Sequence, residues 1–412
     1  VGGEGLGGEV TDGATVTLLQ SGQPGDALQL LYPYNGTVFP RRLLAPNIMW
    51  STAAGDTDAI MMELSTTSGS FQWTGLFGRP AILSQTGGAF TRHPIPQSVW
   101  RAATDTAGGA DKLTLKLTVA RNGQLYGPAT QTWTIAPARL TGTIYYNSYG
   151  TNLAKNYTGA VGGDHTFGGA VLSIRAGDPG PKLTAGANGG EAQCRVCHSV
   201  AANGSRLVVQ RGDNYGATSA YDLTPTGATE AALANGETFP AMYPDGTQLL
   251  GPDAKLYPLP NNTAETPTTG LTDVSTSLGT PAFSPDGKKL VFNPMNGALG
   301  TTAQKLAVMD YEHATQAFSN VVTVADFTGE SAEHRPGWGA FLPDGKSIVF
   351  HRQLAAGLDG NGFGELHTRR AANAAIAWTN TTDATHVTPL NQLNGRDAEG
   401  NSYLPPLAGP QS

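Results

Sequence analysis

Phe283-Ser284-Pro285-Asp286-Gly287-Lys288-Lys289-Leu290-Val291-Phe292 returns, nearly position for position, as Phe341-Leu342-Pro343-Asp344-Gly345-Lys346-Ser347-Ile348-Val349-Phe350. Met242-Tyr243-Pro244-Asp245-Gly246-Thr247-Gln248-Leu249-Leu250 is a third copy. A fourth, Ser199-Val200-Ala201-Ala202-Asn203-Gly204-Ser205-Arg206-Leu207-Val208-Val209, has Asn203 in place of the Asp. Each copy reads as a strand, a Pro-Asp-Gly or Asn-Gly turn and a second apolar strand, a hairpin that cannot bury both faces alone. The turns fall at positions 203, 245, 286 and 344, spaced by 42, 41 and 58 residues. Two spacings match the ~40–50-residue period of blades stacked radially, and the third suits a blade that carries an insertion.

The repeat resembles the TolB-type, WD40-like (PD40) propeller repeat, whose hallmark is an aromatic or apolar residue, Ser or Thr, Pro, Asp, Gly and then an apolar strand. The resemblance spans roughly residues 190–355, and the first copy matches more weakly than the other three. Gly142-Thr143-Ile144-Tyr145-Tyr146 and Ala170-Val171-Leu172-Ser173-Ile174 supply a preceding blade. With a weak C-terminal one, residues 139–412 hold about six blades at ~42 residues each. Ser402-Tyr403-Leu404-Pro405-Pro406 reads as a strand entering a blade that is then cut off.

Upstream the signal is also β. Leu113-Thr114-Leu115-Lys116-Leu117-Thr118-Val119 alternates with period two, Asn122-Gly123 supplies a turn, and Leu125, Trp133 and Ile135 resume the pattern. Ile48-Met49-Trp50, Ala59 to Leu64 and Phe71-Gln72-Trp73 add short strands. Residues 26–138 therefore read as an immunoglobulin- or fibronectin-like β-sandwich. Met61 and Met62 read as core filling. Residues 1–25 read as a flexible Gly-rich leader, and Pro137 marks the boundary to the propeller at 139. The fold class expected is all-β: a sandwich, then a propeller carrying one c-type haem.

That haem is read from Cys194-Arg195-Val196-Cys197-His198, which uses both cysteines of the chain. C-x-x-C-H is the spacing of covalent c-type haem attachment, with the histidine placed to bind the iron on the proximal side. A structural zinc site needs four ligands, and no second cysteine pair exists here. A thioredoxin-like redox pair, or a plain disulfide between cysteines three apart, competes for the same two thiols.

The chain has 412 residues, 54 Gly, 27 Pro and only 14% charged residues, which implies many tight turns and few exposed charged helices. A net charge of −7 without a Lys or Arg cluster argues against nucleic acid and against anionic membrane surfaces. No apolar run is long enough for a transmembrane segment. The first residues, Val1-Gly2-Gly3-Glu4-Gly5-Leu6-Gly7-Gly8, read as a processed N-terminus.

Aligning Asn203 with Asp286 puts Cys197 level with Phe239, Thr280 and Trp338. That places the haem at the mouth of the central channel, with Phe239 and Trp338 beside it. The sixth iron ligand decides between electron transfer and ligand chemistry. His334 is the first choice, one step before the position equivalent to Cys194; His165, in a Gly-rich loop, is second, and Met242 third. His93, His313, His351, His367 and His386 read as surface or strand-end residues. Asp359, Asn361 and Glu365 offer oxygen ligands at spaced positions of a turn-forming loop, a weaker Ca2+ candidate.

The whole pattern resembles large exported bacterial haem proteins in which an Ig-like domain precedes a WD40-like propeller with one C-x-x-C-H in a blade. The resemblance implies an extracytoplasmic, single-haem electron carrier at the periplasm, cell surface or outside the cell, with a redox partner protein or extracellular acceptor. Two further readings stay open: a peroxidase-like haem enzyme with an open iron site, and a structural surface protein that assembles through its β edges into a homopolymer or filament.

Overall fold

Leu113, Leu115, Leu117 and Val119 are all fully buried, as their alternation requires. The structure is a computed structural model that describes residues 7–158, 164–212, 217–224, 227–234, 236–237, 239–260, 268–354, 374–391 and 393–396. The chain divides into two compact units, residues 1–153 with 172–183, and residues 154–171 with 184–412.

The first unit contains α1 (Gly13–Gln20), β1 (Leu28–Tyr32), β2 (Val38–Arg41), β3 (Asn47–Thr52), β4 (Ala59–Thr66), β5 (Gln72–Gly78), α2 (Ala81–Thr86), β6 (Arg92–Pro94), α3 (Gln97–Ala107), β7 (Lys112–Arg121) and β8 (Gln124–Arg139). Two sheets form, in the orders β1-β3-β6 and β2-β8-β7-β4-β5. Residues of both, with Trp100, Ala103 and Ala107 of α3, make one core around Trp50, Trp133, Phe39 and Met62. Phe39 and Trp100 meet edge to face at 5.1 Å between centroids, a favoured aromatic geometry.

Three features depart from the expectations. Pro137 does not end β8; the strand runs on to Arg139 because its neighbour there is the short parallel strand β2, and the proline carbonyl accepts from Arg41 Nη2 at 2.8 Å. The expected boundary at 139 thus lies inside the first compact unit. The stretch read as a flexible leader forms α1, capped by the Asp12 carboxylate and anchored by buried Leu19. Ahead of that helix, the Gly8 carbonyl accepts from Gly78 N–H at 2.7 Å and Gly7 N–H donates to His93 Nε2 at 2.8 Å.

His93 is therefore no surface residue: it is fully enclosed, with its ring 4.3 Å from that of Phe77. His313 follows directly on the strand that ends at Glu312, as expected of a strand-end residue, and stacks on Tyr243 at 4.2 Å, whereas His351, inside β24 (Ser347–Gln353), keeps a buried Nδ1 without a hydrogen-bond partner among the described residues.

The remaining strands are β9 (Thr143–Thr151), β10 (Gly168–Arg175) and β11 (Lys182–Ala185) in one sheet, then four more sheets. These are β12 to β15 (Arg195–Val200, Arg206–Arg211, Thr218–Thr224, Gly227–Ala232) and β16 to β18 (Ala241–Met242, Gln248–Leu250, Leu256–Pro258). The last two are β19 to β22 (Ser277–Phe283, Lys289–Asn296, Lys305–Glu312, Ala317–Asp326) and β23 to β26 (Pro336–Phe341, Ser347–Gln353, Ala374–Asn380, Thr388–Pro389). Each of the four is a sequential antiparallel meander, and the first strands of successive sheets are neighbours. That is a β-propeller, with β12, β16, β19 and β23 as the inner strands.

The repeat explains the arrangement. Every turn glycine donates to the carbonyl three residues back, Gly204 to Ala201, Gly246 to Tyr243, Gly287 to Ser284 and Gly345 to Leu342, at 2.8 to 2.9 Å. All four sit at φ between 64° and 78°, where a Cβ is disfavoured. Asp245, Asp286 and Asp344 accept the N–H two residues on, and Asn203 does the same through its amide oxygen.

Along β20 the alternation divides the apolar residues between two cores: Leu290 and Phe292 pack with Tyr243 and Leu250 of the preceding blade, Val291 with Ile348 and Phe350 of the next. Both faces of the hairpin are thereby covered. The weak C-terminal blade that completes a count of six falls largely outside the described residues, as do Asp359, Asn361, Glu365 and His367.

Burial pushes the His93 imidazole down to about 4, so the folded state holds it neutral while the unfolded chain protonates it near its ordinary value. Its stabilising contribution is complete above about pH 6.5 and is lost as pH falls toward 4, a loss on the order of 3 kcal/mol. Urea unfolding of the wild type followed from pH 7 to pH 4 is expected to show this decline, and His93→Phe is expected to flatten it.

Candidate functional site

The site is built on Asn156, a fully buried residue of the second unit. Its amide oxygen accepts from Gly169 N–H at 2.9 Å. Its Nδ2 faces three carbonyls, those of Gly169 at 2.9 Å, Ala187 at 3.2 Å and Gln193 at 3.3 Å. One side chain thus ties the start of β10 to the residue immediately before Cys194. Charge-neutral amides satisfied at both ends are what a buried site can hold without a desolvation penalty.

Gly169 in turn sets how close Cys194 comes. A Cβ there would lie 2.6 Å from Cys194 Sγ and 2.9 Å from the Tyr157 hydroxyl, so only glycine leaves room for both. Burial, with the neighbouring Cys194 and Cys197 thiols, pushes the Tyr157 phenol up to about 12. Cys194 is 8% exposed, Cys197 and His198 are half-buried, and the two cysteines form no disulfide.

The motif then enters β12 through a bulge. Register shifts between Val196 and Ser199, where Cys197 stands at φ 55°. Phe239, Thr280 and Trp338, the residues level with Cys197 in the repeat, stand at 51°, 42° and 56°, and β19 and β23 carry the same shift at Gly279/Ala282 and Gly337/Ala340. Such bulges re-aim a side chain and are common beside functional sites.

Between the cysteines, Arg195 is 6% exposed. Its Nε donates to Glu230 of β15 at 2.7 Å and its Nη1 to the Ala192 and Cys194 carbonyls at 2.8 and 2.9 Å. Burial works against ionised Glu230, but the guanidinium hydrogen bond holds it below the ordinary carboxylate range.

The candidate partners distribute as follows. Phe239 and Trp338 meet edge to face at 4.8 Å, and the Trp338 backbone N–H donates to Thr280 Oγ1 at 2.8 Å. The Trp338 indole N–H is buried with no hydrogen-bond partner. Met242 lies in the core between blades with Leu249 and Tyr257. His334 has Nδ1 on Glu330 Oε2 at 2.6 Å and Nε2 on the Leu354 carbonyl at 3.1 Å. His165 has Nδ1 on the Gly189 carbonyl at 3.2 Å, while its backbone N–H donates to the Tyr157 carbonyl at 2.8 Å.

Asn156, Tyr157, Gly169 and the Arg195–Glu230 pair escape a reading of the sequence. Gly168-Gly169 is the signal it offers, a doublet opening an apolar strand where close backbone approach is expected.

A c-type haem fits this donor set. It carries its own four nitrogen ligands and asks the motif for two sulfurs and one imidazole. Among the described residues no three His, Cys, Asp or Glu side chains converge as ligands for a bare metal ion.

No family model and no curated protein matches the chain. Among solved structures it is similar to TolB from Acinetobacter baumannii at 14% identity, over 68% of this chain and 64% of that one, with a TM-score of 0.37. The chain thus spans less than two thirds of that TolB's length. It is similar also to the β-propeller domain of the Trilobed protease from Pyrococcus furiosus, at 10% identity over 48% and 56% of the two chains (TM-score 0.27). A third is the GH74 enzyme from Niastella koreensis, at 14% identity over 87% and 47% (TM-score 0.30). The propeller assignment rests on the meanders and the inner-strand register described above.

Asn156→Ala strands at least two buried backbone groups and is expected to lower the stability of the second unit by about 3 kcal/mol. Chemical denaturation of the wild type and the variant side by side measures it.

Proposed function

We propose that the protein is a single-haem, c-type electron carrier of an extracytoplasmic compartment, with the propeller as the rigid frame of the haem. The observation that carries this reading is the placement of Cys197 and His198 in one bulged inner strand with Cys194 directly ahead of it, and with Tyr157 and Gly169 packed at the first thiol. Each thiol would add across one vinyl group of haem: the S–C bond forms, the thiol hydrogen passes to the other vinyl carbon, and nothing is oxidised. The bound group supplies reversible one-electron exchange at iron. His198 would hold the iron, and the Arg195–Glu230 pair would keep the intervening backbone in place. Phe239 and Trp338 are proposed to wall the haem at the channel mouth.

The compartment follows from the chemistry, because attachment of this kind takes place outside the cytoplasm in bacteria. No helix among the described residues is long and apolar enough to cross a membrane. The acceptor is proposed to be a redox partner protein or an extracellular oxidant. For the first unit, we read the interleaving of β1, β3 and β6 with β4, β5, β7 and β8 as immunoglobulin-type.

Expressed with a haem-attachment system and exported, the protein is expected to gain the mass of one intact haem that survives acid extraction. Cys197→Ser is expected to leave at most one thioether, read as a shifted pyridine haemochrome band, and Gly169→Ala is expected to lower the haem yield. A wild-type protein that exports, folds and carries no covalent haem would remove the proposal.

A further inference from the structure

His334 and His165 differ in which ring nitrogens are already engaged. Both ring nitrogens of His334 already meet acceptors, Nδ1 the Glu330 carboxylate and Nε2 the Leu354 carbonyl, so each is engaged within the protein. Glu330 is held in turn by Arg352 Nη2 at 2.6 Å, so His334 belongs to a surface network of charges within its own blade.

His165 has the opposite arrangement. Among the described residues its Nδ1 meets the Gly189 carbonyl, an acceptor, and Nε2 is the nitrogen left for another partner. An imidazole whose Nδ1–H is fixed by a backbone carbonyl is the usual state of a histidine that ligates metal through Nε2.

The backbone also fixes where that ring stands. His165 N–H donates to the carbonyl of Tyr157, the residue whose hydroxyl converges with Cys194 Sγ on Gly169. Gly189, the ring's acceptor, donates to the Lys155 carbonyl and opens the short turn that runs through Gln193 into Cys194. His165 is thus bonded to both segments that frame the first thiol. His165 is exposed, and Asp164 and His165 both stand in the left-handed region, at φ 44° and 57°, which fixes the turn that presents the ring.

We infer that His165, through Nε2, is the sixth ligand of the haem iron, making the site a bis-histidine centre closed to small ligands. The inference rests on the haem reading above and assigns the partner of His198.

His165→Asn tests it with little risk to the fold, because asparagine tolerates a left-handed backbone and its amide N–H can still donate to the Gly189 carbonyl. The haem-loaded wild type is expected to be low-spin in both oxidation states and to leave its reduced spectrum unchanged under carbon monoxide. His165→Asn should keep its covalent haem, turn high-spin and bind carbon monoxide stoichiometrically, and added imidazole should restore the low-spin spectrum. His334→Asn should match the wild type. A His165→Asn protein that stays low-spin and refuses carbon monoxide overturns the assignment, as does a haem-loaded wild type that already binds it. A wild type without covalent haem overturns the underlying reading, and the mass spectrum separates that failure from the others.

Discussion

One left-handed residue in or just ahead of the inner strand of four blades is the constraint around which the second unit is arranged. Cys197, Phe239, Thr280 and Trp338 all carry it. A side-chain-bearing residue pays on the order of 1 kcal/mol to stand there, and a fold that repeats the conformation four times must over-determine it. The over-determination is visible. The Asx turn fixes the hairpin behind the bulge, the interblade cores clamp both faces of it, and main-chain donors reach across, as from Met242 to Ser199 Oγ and from Trp338 to Thr280 Oγ1. What the bulge does locally is turn one side chain out of the strand's alternation, and at Cys197 that side chain is a thiol.

The rest of the site compensates for bringing polar backbone into a tight place. Asn156 answers one N–H and three carbonyls with a single amide, and Arg195 answers two more carbonyls while its charge is met by Glu230. A buried guanidinium costs more to desolvate than a lone contact returns, which is why its partners number three and not one.

Much of this is legible in the chain. The Asp-Gly turns are local, and their period places the blades without any knowledge of contacts between them; the same register sets Cys197 level with Phe239, Thr280 and Trp338, and the backbone angles agree. The strands of the first unit follow from alternation. Its helices do not, because α3 begins after Pro96 with no side-chain cap, and α1 lies inside a stretch whose glycines read as disorder. Trp100, Ala103, Thr104 and Ala107, followed by Gly108 in the left-handed conformation, are the helical signal available. Asn156, Tyr157 and Gly169 lie beyond reach for a different reason. Their roles depend on which carbonyls and sulfurs meet them from 13 to 37 positions away, and spacing carries no such information. The histidines show the same limit: register puts His334 ahead, but spacing does not reveal that both of its ring nitrogens meet acceptors within the protein.

The equivalence of the four left-handed positions makes the frame reusable. Phe239, Thr280 and Trp338 mark three further places where the backbone already holds the turn that Cys197 uses. A cysteine placed at any of them would meet a main chain bent as it is at Cys197, so moving the motif from blade to blade asks for changes of side chain and none of the strand beneath.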